Sequence, residues 1–282
     1  MRSWLATLFV CLASFAPVAA AQPDEHPAKV ELLANVSSIQ PGDPFSVGVR
    51  FTMRPHWHVY WINPGDSGLP PQVKWKLPEG FTVSELQFPV PKKFEQPGDM
   101  VGYGYEDEVL LTATVTPPKD LKQGTTVPIA ADVSWMVCQD ICLLGDASLS
   151  LELPTSAVAT PNNLQLFKTW ADRLPTPPEK VGARPSSTAE KRGGETYFII
   201  EWTDRAPGKV EWYPPASDAI TFSDIRADSE GKRTMVLYRT KLLAGKTAPR
   251  ALPPSLLAYD AGNGARRGIL VPVPVPQPAG NE

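Results

Sequence analysis

Two cysteines separated by three residues, Cys138 and Cys142, carry the clearest chemistry in the chain. They interrupt the stretch VSWMVCQDICLLGDASLSLELP, Val133–Pro154. A thiol pair of this kind supports three kinds of chemistry. As a structural disulfide it would close a short ring, which the chain-entropy model rates at only about 2 kcal/mol. As an exchange pair, one thiolate attacks a partner's disulfide and the other thiol resolves the mixed disulfide that forms. As soft ligands, the two sulfurs with His56 or His58 would suit Cu(I). Two cysteines with no Cys/His repeat fall short of a zinc pattern, and neither a bound metal nor a cofactor is expected. The spacing is not C-x-x-C and no helix begins at Cys138, so the thiol activation that a helix N-terminus provides is not expected.

The elements that position the pair are strands. Val133 and Trp135 alternate with polar residues before the cysteines, and Leu149, Leu151 and Leu153 alternate with Ser148, Ser150 and Glu152 after them. This period of two reads as two half-buried strands with the sulfurs where one ends and the turn begins. Upstream, strands are expected at Val30–Val36, Phe45–Phe51, Val73–Leu77, Val109–Val115 and Val127–Val137, with Gly, Pro and Asp turns between them. The segment HWHVYWINPGDSGLPP, His56–Pro71, is the densest aromatic stretch, and Gly102-Tyr103-Gly104-Tyr105 reads as a loop. A long loop with Pro89, Pro91, Pro97 and Gly98 precedes it. Taken singly, these aromatics are ordinary core residues. Together, Tyr60, Trp61, Tyr103 and Trp135 are candidates for a cap over the sulfurs, and His58, Asp66, Tyr105 and Asp107 for proton management. No crossover helices are visible, so the strands should form an immunoglobulin-like β-sandwich.

The N-terminus has Arg2, an apolar run Trp4–Ala16 and the small residues Ala19-Ala20-Ala21, the pattern of a secretory signal peptide over residues 1–21. Cleavage there would remove Cys11 and leave the pair as the mature chain's only cysteines. It would also leave 26 basic against 30 acidic residues, a net charge of −4. That balance argues against nucleic acid and anionic lipid as partners, and no later segment is apolar enough to span a membrane. Pro 32 and Gly 20 are high, which with many short β-branched runs indicates a mostly β protein. The length fits two domains: a redox domain over 22–156, then a short helix and Pro/Gly-rich linker over 157–195. A second, smaller β-sandwich with a Pro-rich tail follows over 196–282. The helix is expected at Asn162–Leu174, capped by Asn162 or Asn163. Second-domain strands are expected at Tyr197–Trp202, Val210–Tyr213, Ile220–Phe222, Thr234–Arg239 and Gly268–Val275.

Three segments in order, HVYWINPGDSGLP, VGYGYEDEVLL and WMVCQDIC, make the chain from Lys29 to Pro154 resemble the periplasmic N-terminal (alpha) domain of the DsbD/ScsB thiol:disulfide interchange reductases. The ScsB branch is the nearer likeness. The resemblance implies an immunoglobulin-like sandwich whose cysteines, Cys138 and Cys142, shuttle electrons to periplasmic thioredoxin-like oxidoreductases. It also implies the family's settings, cytochrome c biogenesis and copper tolerance. Leu143-Leu144 stand where the family usually has a proline. The membrane and thioredoxin-like domains of full-length members do not follow in this sequence, which implies a separately encoded membrane electron conduit. The competing expectation is a non-catalytic immunoglobulin-like binding module with a structural disulfide, or a copper-binding one.

Overall fold

The computed structural model describes residues 26–96, 98, 100–186, 190–192, 195–261 and 266–273. The expected signal peptide and the end of the Pro-rich tail lie outside them. The first half holds twelve strands and a helix: β1 (Ala28–Ala34), β2 (Val36–Ser38), β3 (Phe45–Met53), β4 (His58–Gly65), β5 (Gln72–Lys76), β6 (Thr82–Val83), β7 (Lys92–Gln96), β8 (Met100–Glu106), β9 (Glu108–Thr116), β10 (Thr126–Cys138), β11 (Cys142–Pro154), β12 (Thr160–Pro161) and α1 (Leu164–Ala171). The second half adds β13 (Ala183–Pro185), β14 (Glu190–Arg192), β15 (Glu195–Trp202), β16 (Val210–Tyr213), β17 (Ile220–Glu230), β18 (Arg233–Leu242), β19 (Ser255–Asp260) and β20 (Arg266–Val271).

The protein is mostly β, an immunoglobulin-like sandwich followed by a second, smaller one. In the first, the sheet β1-β3-β9-β6 faces the sheet β11-β10-β4-β8-β7. Strand periodicity explains the core between them. Along β10 the residues Val127, Ile129, Ala131, Val133, Trp135 and Val137 are all buried, because successive side chains of a strand point to opposite faces. They meet Val49, Phe51, Val109 and Leu111 from the opposing sheet, together with Val59 and Trp61 of β4. The inner edge of β10 is shared: β5 pairs with Ala130–Ser134, and β4 takes over at Val137 and Cys138. The second sandwich packs β13-β15-β18-β17 against β16-β19-β20 around Phe198, Ile200, Trp212, Tyr238 and Ile269.

Four sequence expectations change. Residues 102–105 form the middle of β8 rather than a loop. Their glycines mark crowding, since a Cβ on Gly104 would lie 2.0 Å from the Val59 carbonyl oxygen, so glycine permits close strand approach instead of a turn. The Pro-punctuated loop before it contains β7. The strand expected at Ile220–Phe222 runs on to Glu230 through a register shift between Ser223 and Arg226, and its charged residues hid the alternation. The helix is shorter than expected, and Asn163 holds its N-cap position without capping through its side chain. Asn163 sits in the left-handed region (φ 49°) with no side-chain cap bond, because its amide donates to the Ala34 carbonyl at 3.0 Å.

The segment read as a linker has more order than its composition implies. Thr176 bonds to the backbone of Gly268 and Leu270, residues 178–181 form a 3-10 turn, and Ala183–Pro185 pairs with β15. The two sandwiches share a packed boundary. Tyr213 lies against Trp61 and Tyr103, and Asn63 Nδ2 donates to the Pro214 carbonyl at 2.8 Å.

Candidate functional site

The β10–β11 hairpin carries Cys138 and Cys142 to its tip, where they are register partners and form a disulfide with Cα atoms 4.1 Å apart. Gln139, Asp140 and Ile141 make the turn, closed by the Gln139 N–H donating to the Ile141 carbonyl at 3.0 Å. The two sulfurs differ in access. Cys138 is 1% exposed, whereas Cys142 is exposed. Around Cys142 the apolar side chains Ile141, Leu143 and Leu144 also face solvent, Leu144 at 70%.

The register extends this pair into a row. Cys138 is paired with His58 on β4, and His58 with Glu106 on β8. Val137 and Val59 beside them are fully buried in the core, so the row Cys142–Cys138–His58–Glu106 lies on the outer face of the sheet. Phe94 on β7 covers that face, stacked on the His58 ring at 4.8 Å, and Tyr60 meets the same ring edge-on at 5.2 Å. The Tyr60 hydroxyl accepts from Gln96 Nε2 at 3.1 Å, and Gln96 Oε1 accepts from Ser67 at 2.7 Å. Gly68 lies over the Tyr60 ring so closely that a Cβ would come within 2.3 Å of it. Burial raises the Tyr60 pKa, with the bonds to Gln96 and Ser67 opposing that. Burial also lowers the His58 pKa, and the charge of Glu106 offsets this only in part. His58 is therefore neutral at neutral pH.

The remaining sequence candidates stand elsewhere. Trp135 lies beneath the hairpin in the core, edge-on to Phe51 and His26. Trp61 and Tyr103 face the second sandwich, and burial pushes the Tyr103 hydroxyl up to about 12, with Asp66 adding to it. Tyr105 donates to the Pro89 carbonyl at 2.7 Å, and burial holds its pKa well above the usual value. Asp66 accepts from the Val101 N–H at 2.8 Å and so ties the turn after β4 to β8. Asp107 occupies the left-handed region (φ 60°) and its carbonyl accepts from Met53. Of the candidates, the structure thus gathers Cys138, Cys142, His58 and Tyr60. Phe94, Gln96 and Glu106 join them and were not singled out from sequence. The alternation in KKFEQ was the available signal for Phe94, masked by the flanking prolines. Among the described residues no group of three or more His, Cys, Asp or Glu side chains could hold a metal ion.

Comparison with known proteins decides the first domain. The family model described as "Thiol:disulfide interchange protein DsbD, N-terminal" matches residues 25–154. Those residues belong to the DsbD N-terminal family. The N-terminal periplasmic domain of ScsB from Proteus mirabilis superposes with a TM-score of 0.67 at 18% identity, over 91% of this chain and 97% of that one. The likeness covers both sandwiches, and at that identity it speaks for the fold alone. The Neisseria meningitidis DsbD N-terminal domain in its reduced form aligns with 50% of this chain and 95% of its own, at 14% identity. Its TM-score of 0.29 is too low to carry an argument. No curated protein matches the chain. Within the DsbD frame the Cys138–Cys142 pair supports thiol–disulfide exchange, and no helix among the described residues is long and apolar enough to cross a membrane.

Proposed function

We propose that this protein is a periplasmic thiol–disulfide exchange module that passes reducing equivalents to or from thioredoxin-like partners through Cys138 and Cys142. The carrying observation is the asymmetry of the disulfide: one sulfur exposed on an apolar rim, the other buried. A disulfide placed only for stability gains little from so small a ring, and the two packed cores have no need of it. A partner thiolate reaches Cys142, not Cys138. Its attack on the Cys142 sulfur forms the mixed disulfide, breaks the S–S bond and leaves the electron pair on Cys138. When electrons flow the other way, the Cys142 thiolate attacks a partner disulfide and Cys138 resolves the adduct. Ile141, Leu143 and Leu144 supply the surface on which the partner docks. Export through the signal peptide at residues 1–21 and cleavage after Ala21 belong to the same reading. So does an exchange domain over 22–156.

The test uses Cys138→Ser and Cys142→Ser in parallel, each mixed with oxidised periplasmic thioredoxin-like proteins and resolved by non-reducing electrophoresis. Cys138→Ser should trap a mixed disulfide through Cys142, and Cys142→Ser should trap none. Equal silence from both variants would leave a structural disulfide. Loss of Cu(I) binding in both, and in His58→Ala, would favour a copper site.

A further inference from the structure

The site contains a buried base whose ring is packed but whose Nε2 is unpartnered. His58 is 7% exposed, and its Nε2 has no hydrogen-bond partner. A buried polar atom left unpaired opposes folding, and native structures rarely keep one without a use. Its position supplies the use. Directly opposed residues of an antiparallel pair lie on one face with Cβ atoms about 4.5–5.5 Å apart, so the imidazole stands beside the buried sulfur and not the exposed one. Cys138, at 1% exposure, has no direct route to bulk water, and a thiol in such surroundings gives up its proton reluctantly. Phe94 stacks over the ring from β7 and Tyr60 flanks it along β4. Glu106 is the charge that faces it from β8, itself paired with Lys92 of β7 at 3.2 Å.

We propose that His58 is the proton acceptor for Cys138 in the resolving half of exchange, with Glu106 as its positioning residue. The proposal rests on the exchange reading above. It starts from the mixed disulfide between Cys142 and a partner. The Cys138 thiol gives its proton to His58 Nε2, and the Cys138 sulfur attacks the Cys142 sulfur. The bond between Cys142 and the partner breaks, and its electron pair leaves on the partner sulfur as a thiolate. One disulfide has formed and one has broken, the partner has been reduced, and the imidazolium returns its proton to solvent or to the departing thiolate. Burial keeps the ring neutral and hence ready to accept. The negative Glu106 on its far side favours the imidazolium that forms.

An aromatic disulfide, 5,5′-dithiobis(2-nitrobenzoate), separates the two halves. The reduced protein should release coloured thiolate in two phases, first as Cys142 attacks and then as Cys138 resolves. Cys138→Ser should show the first alone. His58→Gln should leave the first phase within about twofold and slow the second about 100-fold near neutral pH. The gap should close in alkali, where Cys138 ionises unaided. In the unaltered protein the second-phase rate should rise with pH below 6.5, as His58 deprotonates, and then level off. Glu106→Gln should move that rise to lower pH. A second phase unchanged in His58→Gln overturns the proposal. If that variant does not fold, a wild-type profile that follows thiol ionisation alone, unmoved in Glu106→Gln, overturns it equally. Absence of both phases in the unaltered protein would instead overturn the exchange reading on which this one stands.

Discussion

Each sandwich contains one long antiparallel hairpin, and the two hairpins end differently. β10–β11 keeps one register from Thr126 opposite Pro154 to Cys138 opposite Cys142. β17–β18 shifts register between Ser223 and Arg226, where Asp224 takes a φ of 51°. It turns at Gly231 (φ 59°), around which a Cβ would meet nothing within 4 Å. The first tip is closed by sulfur, faced by His58 and rimmed by exposed apolar side chains. The second carries Glu230, Lys232 and Arg233, and Lys232 donates back to the Thr203 carbonyl at 2.7 Å. A charged tip stays in water, whereas an apolar one invites a partner. The same strand physics therefore yields an end closed by sulfur and an end that carries charge, and what differs is the residues at the turn.

The largest effect should come from breaking the tip closed by sulfur. Cys142→Ser is expected to reduce exchange with a dithiol partner to background, followed by the partner's loss of free thiol. Lys232→Ala at the other tip should leave that rate unchanged. Equal losses would mean that both ends contact the partner.

Core truncations sharpen the contrast from below. Trp135→Ala and Trp202→Ala each remove a buried indole, and each should cost about 3–5 kcal/mol in urea denaturation. Trp202 also donates to Thr234 at 3.0 Å, so its loss leaves that buried hydroxyl with the Ser229 hydroxyl as its partner, at 2.7 Å. Reactivity of the sulfurs should follow only the first of these variants, because Trp135 lies under the hairpin that holds them.

Phe94→Ala should have a smaller effect, about 0.5–1.5 kcal/mol for the lost ring contact. It opens the His58 ring to water. Relief of burial should raise the His58 pKa toward 6.5, observable by NMR titration of the imidazole.

The smallest expected effect is on stability against pH. Because the folded-state pKa of His58 is depressed, its contribution is fully present above the unfolded value near 6.5. That contribution is lost as pH falls through the folded value. Denaturation midpoints should therefore drop on acidification below 6.5, and His58→Gln should flatten that part of the curve.

The strands were legible because both sandwiches obey the period of two: the residues of β10 that sequence alternation points inward are the ones buried. The cysteine pair was legible from spacing, and His58 and Tyr60 from the dense aromatic stretch His56–Pro71 that holds them. Phe94 and Glu106 were hidden for a different reason. Their places beside the sulfurs are fixed by which strands pair across the sheet, and a single sequence does not encode register locally. Trp61 and Tyr103 misled for the converse reason. Aromatic and near the right motifs, they serve the boundary with Tyr213, a residue of the other sandwich.

Gly145 has a consequence for how this hairpin tolerates change. It is the register partner of Trp135, and a Cβ there would come within 2.4 Å of the indole. The ring already fills the volume of the missing side chain, and a close-packed core leaves it little room to retreat. In a saturation library selected for folded protein, position 145 should keep glycine, while the exposed neighbours Leu144 and Asp146 accept most replacements. The hairpin would then carry one immutable position between two permissive ones, and the Trp135 ring would be the reason.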